Sequence, residues 1–459
     1  MLKIYNSLSG QESEFKPLQP GKIGIYICGN TVYDYCHLGH ARSMIIFDVV
    51  VRYLRSQGYE VIHVRNITDI DDKIIKRALE NGETIESLTE RFIQAQKEDE
   101  QALGLLSPNH EPRATHFIKE MQELIQKLLD RGYAYVSVDG DVCFEVRKDQ
   151  DYGKLSGRDI EKLKAGARVN FNEGKKDPLD FVLWKISKPG EPHWPSPWGE
   201  GRPGWHIECS AMSAEILGQP FDIHGGGMDL KFPHHENELA QSESACGCEF
   251  ARCWMHVGLL QVNGEKMAKS LGNFVTIRDA LNRYRAEELR FFMMSSIYNR
   301  PADYTESSMH EAKVRLKTLY NVLRGLPEIA PEMDVRYTQR FNDAMNDNFN
   351  TSVALGILED LATEIAEQRK QKKVDQAAAL AATLRKLGKI LGILNQSDSE
   401  YQKGGWSTEK WQQIEALAKQ RDQARAQKKW AESDQIRQQL INMDVDVEDT
   451  PQGTYLSRH

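Results

Sequence analysis

Two short strings in this 459-residue chain carry side chains suited to phosphate: Cys36-His-Leu-Gly-His40 and Lys266-Met-Ala-Lys-Ser270. His37 and His40 fall at the start of a helix that follows an apolar run, Ile23 to Ile27, read as a buried strand. Free backbone N–H groups and the helix dipole favour a phosphate at such a place. Gly39 has no Cβ, so an adenine can come close. Lys266 and Lys269 lie in a Gly-rich loop, Val262 to Asn273. From a mobile loop they can descend on phosphates and neutralise charge as the α-phosphorus is attacked. Either string alone reads plainly, as a histidine-rich turn or an exposed basic loop. The ordered pair in one α/β chain points to adenylation of an acid by ATP.

A second constellation is drawn from four places. Cys28 ends the first strand, Cys209 sits on a helix after a Pro-rich insertion, and His234 and Glu238, four apart, share one helix face. Strand ends and helix starts of a parallel sheet converge where strand order reverses. Two thiolates, an imidazole and a carboxylate make a plausible zinc set. Spacing does not choose His234 over His235, and isolated cysteines are commonly buried small hydrophobes. His-His-Glu-Asn-Glu also resembles short zinc-hydrolase motifs but lacks their two-histidine-plus-glutamate spacing. Asp222 to Leu230 runs a strand into three consecutive glycines, where a nucleotide can lie against bare backbone, and Asp229 can accept from a ribose hydroxyl. Asn66 to Lys73 ends the second strand, so Thr68 should face the same crevice; at least one of Asp69, Asp71 and Asp72 should cap a helix. Trp205 reads equally as the floor of a small pocket or as core. His206, His224 and His256 individually read as structural histidines near the site.

The elements that must position these residues follow from periodicity and turn signals. Residues 23–28 and 61–66 read as strands around a helix, Ala41–Gln57, stopped by Gly58, which is a βαβ unit with a parallel sheet. Helices are expected over Glu83–Leu103 and Ala114–Arg131, and a hairpin over Tyr133–Val146 turning at Asp139-Gly140. Between about Tyr152 and Arg202 proline, glycine, lysine and tryptophan dominate. The α/β pattern then resumes, with strands at Phe221–His224 and Cys253–Gly258 and a helix at His234–Cys246. Thr305–Leu326, Asp334–Asn346, Ser352–Lys372 and Asp375–Leu391 have amphipathic helical spacing. A polar linker, Asn395–Gly405, leads to helix Thr408–Lys419, a basic helix to about Ile441 and a short acidic tail. The domain expectation is 1–110 and 201–260 for the two halves of the sheet domain, 111–200 for the insertion, 261–310 for the lysine-loop region, 311–395 for a helical bundle and 396–459 for a terminal domain.

Bulk composition is that of an ordinary soluble protein, 40% hydrophobic and 27% charged, too long for one compact core. No apolar stretch approaches the ~20 residues of a membrane helix, and the N-terminus lacks the apolar core of a signal peptide. Seven cysteines, thinly spread, argue against a disulfide framework and for a reducing, cytoplasmic setting. The net charge of −8 leaves room for a local basic surface, because the local field decides.

Taken together, Cys28 to Asp34, His37 to His40, Asn66 to Lys73, Gly204 to Ser213, Asp222 to Glu238, Lys266 to Ser270 and Leu440 to Thr454 resemble the cysteinyl-tRNA synthetase family over almost the whole chain. Two departures are visible: the family usually has Ile where Leu38 stands and Ser where Ala268 stands. The resemblance implies a class I synthetase: a Rossmann-like α/β catalytic domain with a parallel sheet split by a connective insertion, a stem-contact region around the lysine loop, an all-α bundle and a small C-terminal anticodon-binding domain. It implies that Cys28, Cys209, His234 and Glu238 hold one zinc ion that binds the substrate thiol, that His37, His40, Lys266 and Lys269 are catalytic, and that Gly29, Thr68 and Trp205 bind cysteine. ATP, with Mg²⁺, is expected on Asn30, Gly39, His224, Gly227, Asp229 and Lys269. The implied partners are tRNA(Cys), met by Trp430, Asp434 and Asp449, L-cysteine and ATP, with no membrane and a monomeric state. A locally basic helix, Lys419, Arg421, Arg425, Lys428 and Lys429, is expected beside Trp430. The alternative within the same chemistry is a ligase joining cysteine to an amino-sugar acceptor, which would not require the segment Asn395–His459.

Overall fold

In the computed structural model, which describes residues 1–159, 174–267, 271–327, 329, 333–404, 406–450 and 453–458, the apolar runs around the two strings form a four-stranded parallel sheet. Its strands and flanking helices are β1 (Lys22–Ile27), α1 (Leu38–Ser56), β2 (Glu60–Arg65), α2 (Asp72–Asn81), α3 (Trp205–Leu217), β3 (Phe221–Gly227), α4 (His234–Cys246) and β4 (Ala251–Val257). The strand order is β4-β3-β1-β2, all parallel. Helices cover both faces, so the strands are buried almost throughout; Ile23, Ile25, Tyr26 and Ile223 are fully buried. The chain leaves β1 towards β2 on one side and returns as β3 on the other. The carboxyl ends of β1 and β3 therefore flank the point where strand order reverses.

Local chemistry sets the helix ends. α1 starts three residues before the expected Ala41, because His37 caps it: its ring nitrogen accepts from the amides of Gly39 and His40. The turn after α1 is carried by Gly58 at φ +88°, as its lack of a Cβ permits. α2 is not marked by the spacing argument. Asp71 caps it by accepting from the Lys73 amide at 2.8 Å, and Gly82 ends it in a left-handed conformation. Asp69 instead accepts from the Thr115 amide and hydroxyl.

The insertion carries its own antiparallel sheet, Ala134–Val136, Val142–Phe144, Phe181–Ile186 and Gly201–Pro203, paired in chain order. The hairpin turns through Gly140 as expected. The helix expected from Ala114 begins at Ile118, after a single tight turn at Ala114–His116. Pro203 is the last residue of the sheet, which therefore runs past the expected boundary at 200. Beyond β4, Leu260–Val262, Glu265–Lys266 and Ala302–Tyr304 form a small three-stranded sheet. Arg42, fully buried on α1, donates to the carbonyls of Gly258 and Arg300 and so ties α1 to the base of the lysine loop. A hairpin, Lys3–Asn6 with Gln11–Glu14, opens the chain and was not expected.

This first compact unit comprises residues 1–312, 339–356 and 390–392; the second comprises 313–338, 357–389 and 393–459. In the second, the expected linker contains a short helix, Asp398–Lys403, with Tyr401 stacked on Tyr320 at 3.7 Å. Helices Thr408–Ala426 and Trp430–Asn442 close on a core of Trp411, Ile414, Ile436 and Leu440. The expected acidic tail is a β-hairpin, Val445–Thr450 with Gly453–Arg458, whose Val445 and Leu456 complete that core. Among the described residues no helix is long and apolar enough to cross a membrane. Cys246 and Cys248 form a local disulfide, and the other five cysteines are free and buried.

Candidate active site and metal centre

At the end of β1 the backbone carries Cys28 against β3, its amide donating to Gly225 O at 3.0 Å. α3 brings Cys209, and α4 brings His234 and Glu238 on one face. Cys28 Sγ lies 3.5 Å from Cys209 Sγ and 3.2 Å from Glu238 Oε1, and His234 Nε2 lies 3.0 Å from Glu238 Oε1. The four donor atoms fall within 4.8 Å of one another. All four residues are under 9% exposed. Both histidines reach the group: His234 joins Cys28, Cys209 and Glu238, whereas His235, whose Nδ1 pairs with His256 Nε2 at 2.8 Å, joins Cys28, His224 and Glu238 and so meets only one sulfur.

The charges in this group oppose burial. Burial raises Glu238, but the His224 and His234 imidazoles beside it hold its carboxyl well below the usual range. Burial lowers His234, yet Glu238 and Cys209 bring it up to about 10. Burial works to raise the Cys209 thiol, while hydrogen bonds from Cys28 and His234 bring it down to about 6. Burial and the adjacent Cys209 sulfur push Cys28 up. A buried thiolate and a buried carboxylate set against a single imidazolium leave a net negative charge that a bound metal cation would compensate. Two sulfurs, one nitrogen and one carboxylate oxygen are a donor set that fits zinc.

The set adjoins a cavity of about 450 Å³ lined by Cys28, Gly29 and Trp205 at one end. Trp205, the first residue of α3, also stacks on His234 at 4.1 Å, so it is both cavity wall and support for a candidate ligand. Gly29 is fixed by its neighbour: its amide donates to Asn66 Oδ1 at 2.8 Å, and a Cβ there would sit 1.7 Å from Asn66 O. Thr68, expected to bind substrate, is 2% exposed; its hydroxyl donates to Glu208 Oε2 at 3.1 Å.

The same cavity is also lined by Asn30, His37, Gly39, His40 and Lys266, with Gly227 and Asp229 from the loop after β3. The His37 and His40 rings stack at 3.6 Å, each bonded to the other residue's backbone amide. Burial and then His37 hold His40 well below the usual imidazole range. A Cβ on Gly39 would lie 2.9 Å from the His37 ring, so this glycine is needed for the histidine pair as well as for any nucleotide. Lys266 is exposed on the cavity wall, and Asn273 Nδ2 donates to its carbonyl. Lys269, with Ala268 and Ser270, lies outside the described residues.

His224 was expected in the nucleotide set. It is fully buried, its Nε2 lies 2.8 Å from Glu238 Oε2, and it does not line the cavity. Its place is behind a candidate metal ligand, where it fixes the carboxylate. The glycine run is explained largely by packing: a Cβ on Gly225 would meet the Phe47 ring at 2.3 Å, and one on Gly226 the His235 ring at 2.9 Å. Asn66 and Glu208 are the functional candidates that the motif reading passed over. The signal for Glu208 was an acid inside the otherwise uncharged, buried stretch Ile207–Ser213.

In the second unit, Trp430 is 59% exposed, and Asp434 is exposed four residues on along the same helix. Asp449 accepts from Arg421 and Arg425, which, against a small effect of burial, hold its carboxyl down at about 2. Arg421 is 1% exposed, so it is a buried partner rather than part of an open basic face. The chain breaks at Lys428, φ +58°, so the expected basic helix is interrupted.

Three family matches follow the chain in order. The tRNA synthetases class I (C) catalytic domain matches residues 14–314, the DALR domain 340–395, and the cysteinyl-tRNA ligase anticodon-binding domain 412–456. The cysteine–tRNA ligase of Coxiella burnetii (strain Dugway 5J108-111) is 55% identical over 453 residues, 99% of each chain. That of Halorhodospira halophila is also 55% identical, over 454 residues and 99% of each chain. Among solved structures, methionyl-tRNA synthetase of Mycobacterium tuberculosis with methionyl-adenylate superposes with a TM-score of 0.58 at 16% identity, over 81% of this chain and 90% of that one. The LeuRS–tRNA–LeuAMS complex of Agrobacterium radiobacter K84 gives 0.59 at 12% identity, over 86% of each chain. These last two likenesses concern the fold.

Proposed function

This chain belongs to the cysteine–tRNA ligase family of class I aminoacyl-tRNA synthetases, and from that premise we propose how its residues join L-cysteine to tRNA(Cys). The activity is ATP-dependent cysteine–tRNA ligation. The amino-sugar ligase is not supported, because the full-length relatives and the anticodon-domain match extend through the terminal segment.

The observation that carries the site reading is the buried Cys28, Cys209, His234 and Glu238 group, which meets through Cys28 a cavity also lined by His37 and His40. These four residues would hold zinc. Bound there, zinc supplies a soft cationic centre that favours a thiolate over a neutral hydroxyl and so separates cysteine from serine. Trp205 and Gly29 wall the amino-acid end. ATP lies across Gly39, Gly227 and Asn30, with Asp229 on the ribose and Mg²⁺ held mainly by the phosphates. His40 is held neutral, so the histidine pair donates N–H groups to phosphate oxygens. Lys266 and Lys269 then supply the positive charge. The cysteine carboxylate attacks the α-phosphorus and pyrophosphate leaves; the terminal ribose hydroxyl of tRNA then attacks the activated carbonyl, the acyl–phosphate bond breaks, and AMP leaves with the hydroxyl proton taken up by its phosphate. No protein nucleophile is needed; positioning and charge stabilisation suffice.

On the same reading, the segment from 111 to Pro203 is the connective insertion, 261–310 contacts the tRNA stem, 311–395 is the bundle, and 396–459 reads the anticodon. Trp430 would stack on a base, with Asp434 and Asp449 beside it. The protein works as a cytoplasmic monomer, a claim open to sedimentation and fractionation.

The test is cysteine-dependent ATP–pyrophosphate exchange, with serine as control, followed by charging of tRNA(Cys). Exchange with cysteine alone and charging of that tRNA support the reading. Exchange with serine at a comparable rate overturns the proposed selection.

A further inference from the structure

Arg42 stands on α1 two residues after His40 and is fully buried. Its side chain reaches into the segment that follows β4. Nε donates to Gly258 O at 3.0 Å and Nη1 to Met293 O at 3.4 Å. Nη2 donates both to Ser296 Oγ at 3.2 Å and to Arg300 O at 2.8 Å. All of these acceptors are uncharged, so the contact is not an ion pair, and what it supplies is geometry. Burial brings the guanidinium down to about 10, which leaves it protonated, with its donors in place, at neutral pH.

The acceptors lie where the small three-stranded sheet begins. Gly258 comes just before strand Leu260–Val262, and Arg300 just before strand Ala302–Tyr304. These two strands run parallel. They meet at their entry, where Ala302 N donates to Leu259 O at 3.1 Å and a Cβ on Gly258 would lie 2.2 Å from Arg300 O. The third strand, Glu265–Lys266, pairs with the first and sets Lys266 opposite Gln261. Lys266 lines the cavity together with His37 and His40. One planar fork on α1 therefore grips both strands at the root of the sheet that carries Lys266, and the same helix carries the histidine pair. A guanidinium can span these oxygens because its donors form a rigid plane, whereas an ammonium has its donors on one atom.

We propose that Arg42 is a positioning residue for Lys266, holding the small sheet, and with it the lysine, in register with His37 and His40. This rests on the reading that ATP activates cysteine in this cavity. Arg42 is not among the residues that line the cavity, so it acts on the reaction through the segment it holds. Cys28, Cys209, His234 and Glu238 lie on segments to which Arg42 donates no bond, so cysteine binding does not depend on it.

The test is a double-mutant cycle on zinc-loaded full-length protein. It reads the single-turnover rate of adenylate formation at saturating ATP and cysteine. Arg42→Met should lower that rate by roughly tenfold or more in the parent, and by no more than about threefold once Lys266→Ala is present. KM for cysteine should stay within about threefold of the parent. Arg42→Lys, which keeps the charge and loses the fork, should recover little of the rate. Losses that multiply independently in the double variant, an unchanged rate in Arg42→Met, a matching rise in KM for cysteine, or full recovery in Arg42→Lys each overturn the proposal. Circular dichroism and thermal melting establish folding. Should Arg42→Met fail to fold, Ser296→Ala, which removes a single bond from the fork, takes its place. A loss of about threefold that disappears beside Lys266→Ala supports the proposal, and an equal loss in both backgrounds, or none in the parent, overturns it. If the parent forms no adenylate from cysteine, the functional reading itself falls. If it does and the cycle is additive, only the role of Arg42 falls.

Discussion

Gly29→Ala offers the sharpest test of how the amino-acid end of the cavity is built. The new Cβ would lie 1.7 Å from the carbonyl oxygen of Asn66 and 2.9 Å from its carbonyl carbon. A carbon and a carbonyl oxygen ordinarily approach to about 3.3 Å, so one backbone segment must retreat by roughly 1.5 Å. The obstacle is main chain, which no rotamer change relieves. The retreat stretches the Gly29 N–H···Asn66 Oδ1 bond and carries Cys28, one residue away, out of register with Cys209 and Glu238. A misplacement of about 1 Å at a reacting group costs on the order of 10²-fold in rate, equal to about 2.7 kcal/mol of transition-state stabilisation. Cysteine-dependent ATP–pyrophosphate exchange should therefore lose on the order of 10²-fold or more in kcat/KM for cysteine. KM for ATP should rise as well, because Asn30, the next residue, is proposed to meet ATP. Circular dichroism and thermal melting establish that the variant is folded. A folded variant whose kcat/KM for cysteine stays within threefold of the parent would refute the argument that this wall is set by the Gly29–Asn66 contact.

Other outcomes follow from the same structure. Lys269→Ala should slow adenylate formation by ~10²-fold or more with little change in cysteine affinity; rapid quench would show a parental rate if the lysine had no role. Trp430→Ala should raise KM for tRNA by an amount equal to about 1–3 kcal/mol and leave pyrophosphate exchange untouched, and a loss of exchange would contradict a role confined to the anticodon end. Asp449 is held down at about 2, below its ordinary 3.8. It therefore stabilises the fold above the ordinary value, and that contribution is lost as pH falls through about 4 to 2. The side chain is 41% exposed, so solvent screening keeps the effect below about 1 kcal/mol. Asp449→Asn should flatten this part of the stability–pH curve measured by thermal melts, and an unchanged curve would show that Arg421 and Arg425 do not depress it.

The parts legible in the sequence were those where chemistry is local. The strings at 36–40 and 266–270 name their own residue types, and the His234/Glu238 pair is a helix-face argument that α4 satisfies. The βαβ core was legible because strands covered on both faces must be apolar throughout. What failed were readings that needed a partner. His224 looked like a member of a nucleotide loop because its neighbours are glycines; only the fold shows Glu238 across from it. Arg421 read as a surface cation because its attraction to Asp449, 28 residues away, has no sequence signal. The terminal hairpin was read as a tail because Asp446, Glu448 and Asp449 obscure the alternation whose apolar side, Val445 and Leu456, packs inward. Gly225 and Gly226 looked like room for a ligand, and are occupied by Phe47 and His235. The buried acid at 208 lacked any motif that pairs it with Thr68, 140 residues away.

The central claim is that the buried thiol, imidazole and carboxylate group selects cysteine by holding a metal. The most direct measurement is cysteine-dependent ATP–pyrophosphate exchange on folded protein stripped of metal, before and after zinc is returned, with serine in parallel and Cys209→Ser as the matched variant. The account predicts that stripped protein and Cys209→Ser lose cysteine-dependent exchange, that zinc restores it to the parent alone, and that serine supports none at any stage. Stripped protein that keeps full exchange and full preference for cysteine over serine would contradict it.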